Sequence, residues 1–372
     1  DQLQDGHRVA RGHPAAHVVL AAFALAEDHD CSTEAMLSAV LAGYEVGARI
    51  GIAMGGTPKG VHDIGTWGAV ATAVATTHLL TDADPVAIAR AIELAASSLL
   101  LSDAHTIFSG YPGGHAYLGA SIGHGLWLGQ AAAAGLAAAP GALDRFFAAH
   151  AAAGWAGLPP DGPGRSHDYE ILRGYIKLHP ACAHLHGVLD ALDDLRAAQP
   201  DVALADDVHR VHVRTYAAAS AFDTPARNEL EARFSIPTAV ALSLLHGRLD
   251  DDVLTDGEVT SERVRQLSAR VTVERAPEFD AGYPAGRPTT IEIALRDGRV
   301  LTATSTRPRG DADGHASREA IRAKATELLG HAFGTKAGQL LAVLDEWPDR
   351  HTPREVGDLF RQAAPTNGKG PT

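Results

Sequence analysis

Residues 158–166, LPPDGPGRS, separate two parts of the chain that differ in sequence pattern. Three prolines and two glycines within nine residues are typical of a loop, because proline lacks the backbone N–H and glycine readily adopts turn conformations. Before this loop, apolar and small residues recur at helical spacing, whereas several later segments alternate between apolar and polar residues. The loop therefore predicts a boundary between an all-helical domain and an α+β domain.

The part before the loop is predicted to be a bundle of closely packed helices. Alanine, the strongest helix former, is abundant there, and aromatic residues make up only 5% of the whole chain. Residues that commonly begin helices, Ser32 with Thr33 and the segment 82–85, precede two of the periodic stretches. Helical spacing predicts helices at residues 14–27, 33–50, 66–81, 85–101 and 118–139.

The part after the loop mixes strands and helices. Alternating β-branched residues predict strands at 208–216, 270–274, 289–295 and 300–305, with a hairpin turn at Asp297-Gly298. Further helices are predicted at 227–247, 317–331 and 336–346. The predicted fold class is therefore mainly α with an α+β second domain. The predicted all-helical domain covers residues 1–165 and can be joined by a C-terminal helix at 347–364, and the α+β domain covers 166–346.

Composition excludes several classes of protein. The 372 residues carry 32 Lys and Arg against 45 Asp and Glu, a net charge of −13, which disfavours a nucleic-acid-binding protein. No uninterrupted apolar run reaches the roughly 18 residues of a membrane span, and no signal-like segment opens the chain. The two cysteines, Cys31 and Cys182, are too few for a cysteine-rich metal site. We expect a cytoplasmic protein with no membrane partner, whose ligand is a small molecule.

Histidines carry most of the candidate chemistry, since the chain has 20 of them and imidazole titrates near neutral pH. Several stand beside glycine or proline at the ends of predicted elements, where a side chain can reach a cleft. The candidate residues of this kind and their neighbours are His13, His17, His62, His115, Tyr117, Lys177, Cys182, His184 and His186.

Each of these positions also has a purely structural interpretation. His13 and His17 stand at i and i+4, but they lack the intervening Glu of the HExxH pattern, so a helix start with one buried, hydrogen-bonded histidine is favoured over a metal site. Cys182 and His186 share the same spacing and could be metal ligands or a thiol–base pair, although a lone cysteine on an apolar side more often belongs to the core. For His62, structural packing and catalysis are equally favoured. His209 and His212 lie on a polar strand and are predicted to be at the surface.

Six segments, in order, resemble the MmgE/PrpD family, which includes 2-methylcitrate dehydratase, cis-aconitate decarboxylase and iminodisuccinate epimerase. The resemblance covers nearly the whole chain. It implies a helical domain joined to a smaller α+β domain, usually as a homodimer, with an active site in the cleft between domains and no metal or cofactor. The segments are DGHRVARGHPAAH (5–17), LAGYEVGARIG (41–51), GVHDIGTWGAVATAVA (60–75), LHPACAHLHGVLDAL (178–192), EARFSIPTAVALSLLHGRL (231–249), and RPRGDADGH (307–315) followed by KATELL (324–329).

The resemblance also implies roles for individual residues. His13 and His62 match the family's acid/base histidines, and Asp5 matches its acidic segment and is expected to orient His7 or His13. Lys177 and His186 match positions that hold a substrate carboxylate. The residues expected to line the substrate site around them are His7, His115, Tyr117, Cys182 and His184.

Two departures from the family pattern bear on the substrate. Gly113 and Gly114 replace the Thr-Lys pair of the dehydratase and decarboxylase branches, with His115 following, and only Asp5 is kept from the aspartate-rich run. The missing lysine removes one carboxylate partner. We therefore expect a lyase of dehydratase or decarboxylase type that acts on a small carboxylic acid. The alternatives are an isomerase or epimerase of a related acid and a non-catalytic homologue.

Overall fold

The computed structural model describes residues 4–64, 66–151, 154–155, 157–158, 169–312 and 316–364. The predicted loop at 158–166, apart from Leu158, therefore lies outside the described residues. The chain folds into two compact units, each built from three separate stretches. The α+β unit comprises residues 1–9, 103–116 and 174–315, and the helical unit comprises 10–102, 117–173 and 316–372.

These units differ from the boundaries predicted at 1–165 and 166–346. The first nine residues belong to the α+β unit because strand β1 (Asp5–His7) pairs antiparallel with strand β4 (Gly174–Ile176). Residues from 316 onward belong to the helical unit. Periodicity reports only local structure, so it carries no sign of pairing between segments so far apart in sequence.

The elements of the first half of the chain agree closely with the predicted helices. The predicted helix at 85–101 ends earlier than expected, and the one at 118–139 begins and ends earlier. The elements are α1 (Pro14–Asp28), α2 (Thr33–Met54), β2 (Val61–His62), α3 (Trp67–Leu80), α4 (Pro85–Ala96), β3 (Ser102–Asp103), α5 (Ala104–Phe108), α6 (Gly113–Ala133) and α7 (Ala142–His150), followed by a 3₁₀ turn at Glu170–Arg173.

The second half contains the main sheet and the C-terminal helices. The predicted helix at 227–247 is split in two, since Ser235 caps a new helix with Pro237 in its first turn. The elements are α8 (Ala183–Ala198), α9 (Leu204–Asp207), β5 (Val208–Thr215), α10 (Ala217–Ser220), α11 (Glu229–Ala232), α12 (Ile236–His246), α13 (Asp256–Val259), α14 (Glu262–Ser268), β6 (Val271–Arg275), α15 (Pro277–Asp280), β7 (Thr289–Leu295), β8 (Val300–Ser305), α16 (Arg318–Phe333), α17 (Ala337–Glu346) and α18 (Pro353–Ala363).

Helix α3 forms the centre of the helical unit and packs against α1, α2 and α4. Its residues from Trp67 to Thr77 are all buried. Glycines on the neighbouring helices permit this close packing. A Cβ at Gly43 of α2 would lie 2.6 Å from the Ala71 carbonyl oxygen, and one at Gly129 of α6 would lie 2.5 Å from Thr76 Cβ. The abundance of small residues noted in the sequence is therefore the basis of the helix contacts.

Helix α2 is the one described helix that is long and apolar enough to span a membrane by length and composition. It contains a partly buried ion pair, in which Arg49 Nε lies 2.5 Å from Glu45 Oε1. It also packs against α1 and α3, and more than half of its apolar window is buried within the protein. These contacts are those of a core helix.

The α+β unit has a four-stranded sheet in the order β6-β5-β7-β8. Strands β5 and β6 are parallel, while the β5–β7 and β7–β8 pairs are antiparallel. Strand β7 alternates buried and partly buried residues, as predicted, and places Ile291 and Ile293 in the core. Helices α8 and α12 contribute the other side of this core.

Candidate functional site

The helical unit contains two histidines that share one buried carboxylate. Nδ1 of His13 lies 3.0 Å from Asp63 Oδ2, and Nδ1 of His62 lies 2.9 Å from Asp63 Oδ1. The two imidazole planes are parallel within 2°, with centroids 6.0 Å apart. Asp63 is 4% exposed, and His13 and His62 keep 15% and 8% of their side chains accessible. We refer to these three residues as the His–Asp–His cluster.

Local sequence explains how the cluster is assembled. His13 precedes α1 and is followed by Pro14 in the first helical turn, so its backbone N–H is available to donate to Asp63 Oδ2 at 2.9 Å. A Cβ on Gly12 would overlap the Trp67 ring and lie 2.8 Å from Asp63 Oδ2, so only glycine fits there. The hydroxyl of Thr66 donates to the Asp63 carbonyl at 2.6 Å and fixes the turn before α3.

The electrostatics of the cluster favour an ionised Asp63. Burial alone would raise the pKa of this carboxyl group, but the charges and hydrogen bonds of His13 and His62 hold the pKa well below its usual range. With Asp63 ionised, Nδ1–H of His13 donates to Asp63 Oδ2, which makes Nε2 of His13 the basic nitrogen. Nδ1 of His62 lies beside Asp63 Oδ1 and also accepts from the backbone N–H of Ile64 at 3.3 Å. An aspartate that orients a histidine in this way also stabilises the imidazolium formed when the ring takes a proton.

His17, one turn beyond His13, is fully buried and behaves differently. Neither of its ring nitrogens has a hydrogen-bond partner among the described residues. Its ring lies over Gly68, where a Cβ would overlap it, and 6.2 Å from the Trp67 ring. Burial lowers the pKa of His17 to about 4, with a partly opposing effect from Asp63. His17 is therefore neutral at neutral pH, which fits the predicted buried histidine rather than the metal ligand.

We expect His17→Leu to make the protein less sensitive to acid. The unfolded chain binds a proton at His17 below about pH 6.5, whereas the folded chain resists it until about pH 4. Stability associated with neutral His17 is therefore full above pH 6.5 and falls by about 3 kcal/mol on acidification to pH 4. Urea unfolding of both proteins across this range measures the effect. Equal pH slopes for the two proteins would contradict it, and His209→Gln, at an exposed position, serves as the control.

The α+β unit contains a second group of polar residues, which is rich in positive charge. Lys177 follows strand β4 and is 1% exposed, and His186 on α8 is 3% exposed. The ring of His179 lies edge-on to that of His186, with centroids 5.2 Å apart. Burial lowers the pKa of His186 well below its usual range, and the nearby charges of His179, Lys177 and Arg287 lower it further. We call Lys177, His179, His186 and Arg287 the cationic cluster.

Strand β1 belongs to the same unit. Asp5 and His7 are both buried on this strand, opposite Ile176 and Gly174 respectively. The next residue, Arg8, pairs with Asp311 at 2.9 Å. Asp63 is the carboxylate whose contacts with His13 are described above, and the predicted role of Asp5 in orienting His7 or His13 stays a prediction.

His184 and Cys182 lie at the start of α8, as the spacing predicted. Nδ1 of His184 lies 2.5 Å from the hydroxyl of Tyr216, and the Tyr216 ring stacks on Tyr283 with centroids 4.9 Å apart. Burial raises the pKa of Tyr216 well above its usual range, so this phenol is neutral. Cys182 is a partly buried cysteine that packs against the core of the unit. Its predicted role in substrate binding stays a prediction.

His179 also belongs to the one group of potential metal ligands found among the described residues, with Asp190 and Asp193. Groups of the protein itself already bind to these carboxylates. Asp190 accepts from His179 at 2.9 Å and from the backbone N–H of Arg309 at 2.8 Å, and Asp193 pairs with Arg196 at 2.9 Å. The arrangement is that of an ion-pair network which orients His179.

Two predicted site residues lie at the start of α6. His115 is exposed and Tyr117 is partly buried, and their predicted contacts with substrate stay predictions. The sequence reading missed Asp63 and Arg287. Asp63 stands directly after His62 in the quoted HDIG segment, and a carboxylate beside a candidate base was the available signal. Arg287 lies in a short loop before β7, where no motif marks it.

Comparison with known proteins agrees with this architecture. The MmgE/PrpD N-terminal domain matches residues 2–153, and the MmgE/PrpD C-terminal domain matches residues 179–348. A cis-aconitate decarboxylase from Aspergillus terreus is 25% identical, over 83% of this chain and 68% of its own length. A second cis-aconitate decarboxylase, from Aspergillus terreus strain NIH 2624, is 26% identical with the same coverage. With both family domains matched in order, and with a helical unit and an α+β unit in the structure, this chain belongs to the MmgE/PrpD family.

Proposed function

We propose that this protein is a lyase of dehydratase or decarboxylase type, which acts on a small di- or tricarboxylic acid by proton transfer at a carbon next to a carboxylate. The observation that carries the proposal is the shared carboxylate of Asp63 between His13 and His62. Such an arrangement places two histidines beside one carboxylate, which sets the tautomer of His13 and leaves each ring able to take or give a proton.

The chemistry follows from this tautomer. In a dehydration, Nε2 of one histidine takes the proton from the carbon next to the carboxylate, and the C–H electrons form the new double bond. Hydroxide leaves with a proton from a second acid, as water. In a decarboxylation, the C–C bond to a carboxylate breaks, CO₂ leaves, and the electron pair left on carbon takes a proton from a protonated histidine. In both, Asp63 stabilises the imidazolium state.

The cationic cluster supports a carboxylate as the substrate group. Lys177, Arg287 and the hydrogen-bonding histidines beside them are the residue types that bind carboxylates and stabilise an enolate-like intermediate. The relatives are named for cis-aconitate, a tricarboxylate, which favours a substrate of this class. Because Gly113 and Gly114 stand where the resemblance places a Thr-Lys pair, we propose the class of substrate and not cis-aconitate itself.

Proton NMR in D₂O with a panel of hydroxy-, unsaturated and amino di- and tricarboxylates tests the proposal. A lyase releases water or CO₂ from one member of the panel. An epimerase, the second candidate because two acid/base histidines are present, exchanges deuterium into material of unchanged skeleton. A folded protein that is silent across the panel would contradict both.

With the substrate found, we expect His62→Gln and His13→Gln each to lower kcat/KM by about 10²–10⁴-fold, the usual effect of losing a general acid or base. His209→Gln is the control, because His209 is exposed on β5. A loss within tenfold at either cluster histidine would remove that residue from the proposed mechanism.

A further inference from the structure

Arg287 of the α+β unit is a buried cation without a hydrogen-bonding partner. It is 5% exposed, its Nε is fully buried and unsatisfied, and no hydrogen bond or ion pair involves its guanidinium group among the described residues. Arginine carries five N–H donors, and buried charges are almost always paired. An unpaired buried guanidinium lowers stability, so a position of this kind is explained by a ligand that completes it.

The surroundings fix the orientation of the guanidinium group without using its donors. Its Cζ lies over the ring of Tyr175, 4.8 Å from the ring centroid. Tyr175 can occupy this position because its cross-strand partner is Gly6, where a Cβ would overlap the phenol. Gly187 of α8 allows the backbone of Arg287 to approach, since a Cβ there would lie 3.0 Å from the Arg287 carbonyl oxygen. The side chain is thereby held ready to donate two parallel hydrogen bonds.

The charges around Arg287 favour an anion. Lys177 and Arg287 both act electrostatically on His186, which is neutral. The nearby carboxylate Asp311 is already paired with Arg8 at 2.9 Å, and Arg8 also donates to the Ala285 carbonyl at 2.5 Å.

We propose that Arg287 is the residue that binds a carboxylate of the substrate, in a bidentate pair within the cationic cluster. The identity of that carboxylate as part of the substrate rests on the proposed function. The residue would set specificity for acids with a second carboxylate. The competing explanation is that Arg287 only packs against Tyr175 and stabilises the fold.

A comparison of two ligands that differ by one carboxylate measures the pair directly. We would titrate the full chain calorimetrically with succinate and with succinamate, in which an amide replaces one carboxylate. The wild type is expected to favour succinate by at least about tenfold, the range of a charged hydrogen bond. Arg287→Gln is expected to lose this preference, and Arg287→Lys to keep part of it. Arg263→Gln, at an exposed position, is the control and is expected to match the wild type.

Thermal unfolding of Arg287→Met separates binding from a structural role. If Arg287 is kept for a ligand, the variant has an unchanged or higher Tm, because an unpaired buried charge has been removed. A clear fall in Tm would support the structural explanation and overturn the proposal, as would equal affinity of the wild type for the two ligands. If no substrate is turned over but the wild type still prefers succinate to succinamate, only the proposed function is contradicted. If Arg287→Gln turns over the substrate with an unchanged KM, only the proposed role of Arg287 in binding a carboxylate is contradicted.

Discussion

Asp63→Asn is expected to lower kcat/KM by roughly 10³–10⁴-fold, because one carboxylate orients both rings. Asparagine keeps the size of the side chain but offers one acceptor oxygen and an amide that donates. At least one ring must then change its tautomer or lose its hydrogen bond. Steady-state kinetics with the substrate found by NMR measures the loss.

Asp28→Asn provides the matched control, since this carboxylate lies on α1 of the same unit and is 83% exposed. Retention of more than a tenth of the wild-type kcat/KM in Asp63→Asn would show that the cluster is structural.

The difference in unfolding free energy between the wild type and Asp63→Asn is expected to depend on pH. The pKa of Asp63 is held well below that of the unfolded chain, near 4, so its stabilising effect is complete above pH 4. The effect is lost only as the pH falls below 4 through the depressed value. The difference in unfolding free energy between wild type and variant is therefore expected to narrow as the pH falls below 4.

Trp67→Ala is expected to destabilise the protein by about 3–5 kcal/mol, the range for truncating a buried aromatic side chain. Trp67 is 1% exposed and begins the central helix α3. Glycines face its ring, and a Cβ at either Gly47 or Gly51 would lie 3.2 Å from it. Because the helices that carry these glycines cannot easily move into the vacated volume, the cavity is expected to persist. Urea unfolding measures the free-energy difference.

Trp127→Ala is the control, because Trp127 lies on α6 and is 59% exposed. Its effect is expected to stay within about 0.5 kcal/mol. Similar losses for the two variants would mean that the packing around Trp67 is not as described. Trp67→Ala is also expected to weaken the His–Asp–His cluster, since the ring lies against Gly12, which directly precedes His13.

Sequence alone predicted most elements of the fold, because periodicity is a local property. The strand at 289–295 and its hairpin at Asp297-Gly298 are confirmed in place. The central role of α3 could not be predicted in the same way. Its residues are apolar or small on every side, so the sequence shows a buried helix but not which glycines of α2 and α6 contact it.

The candidate site shows the same difference between what local sequence predicts and what depends on contacts between distant segments. Short motifs mark His13, His62 and Lys177, so the sequence predicts them. Asp63 is recognised as part of the site only by its contact with His13, fifty residues earlier. Arg287 was missed for a different reason. What distinguishes it is the lack of a hydrogen-bonding partner, and this property exists only after folding.

The discontinuous composition of the two units affects how the protein can be made. Helix α1, among the first segments to be synthesised, packs against α18, where Arg361 forms an ion pair with Glu27 and a Cβ at Gly357 would overlap the Glu27 carboxylate. Strand β1 likewise cannot form its pairing until β4 has been synthesised. Neither unit can therefore be completed by the ribosome before the other is largely translated, and the usual domain-by-domain order of folding during synthesis does not apply. Early segments therefore stay without their partners on the nascent chain, and fragments cut within residues 158–166 should not fold independently.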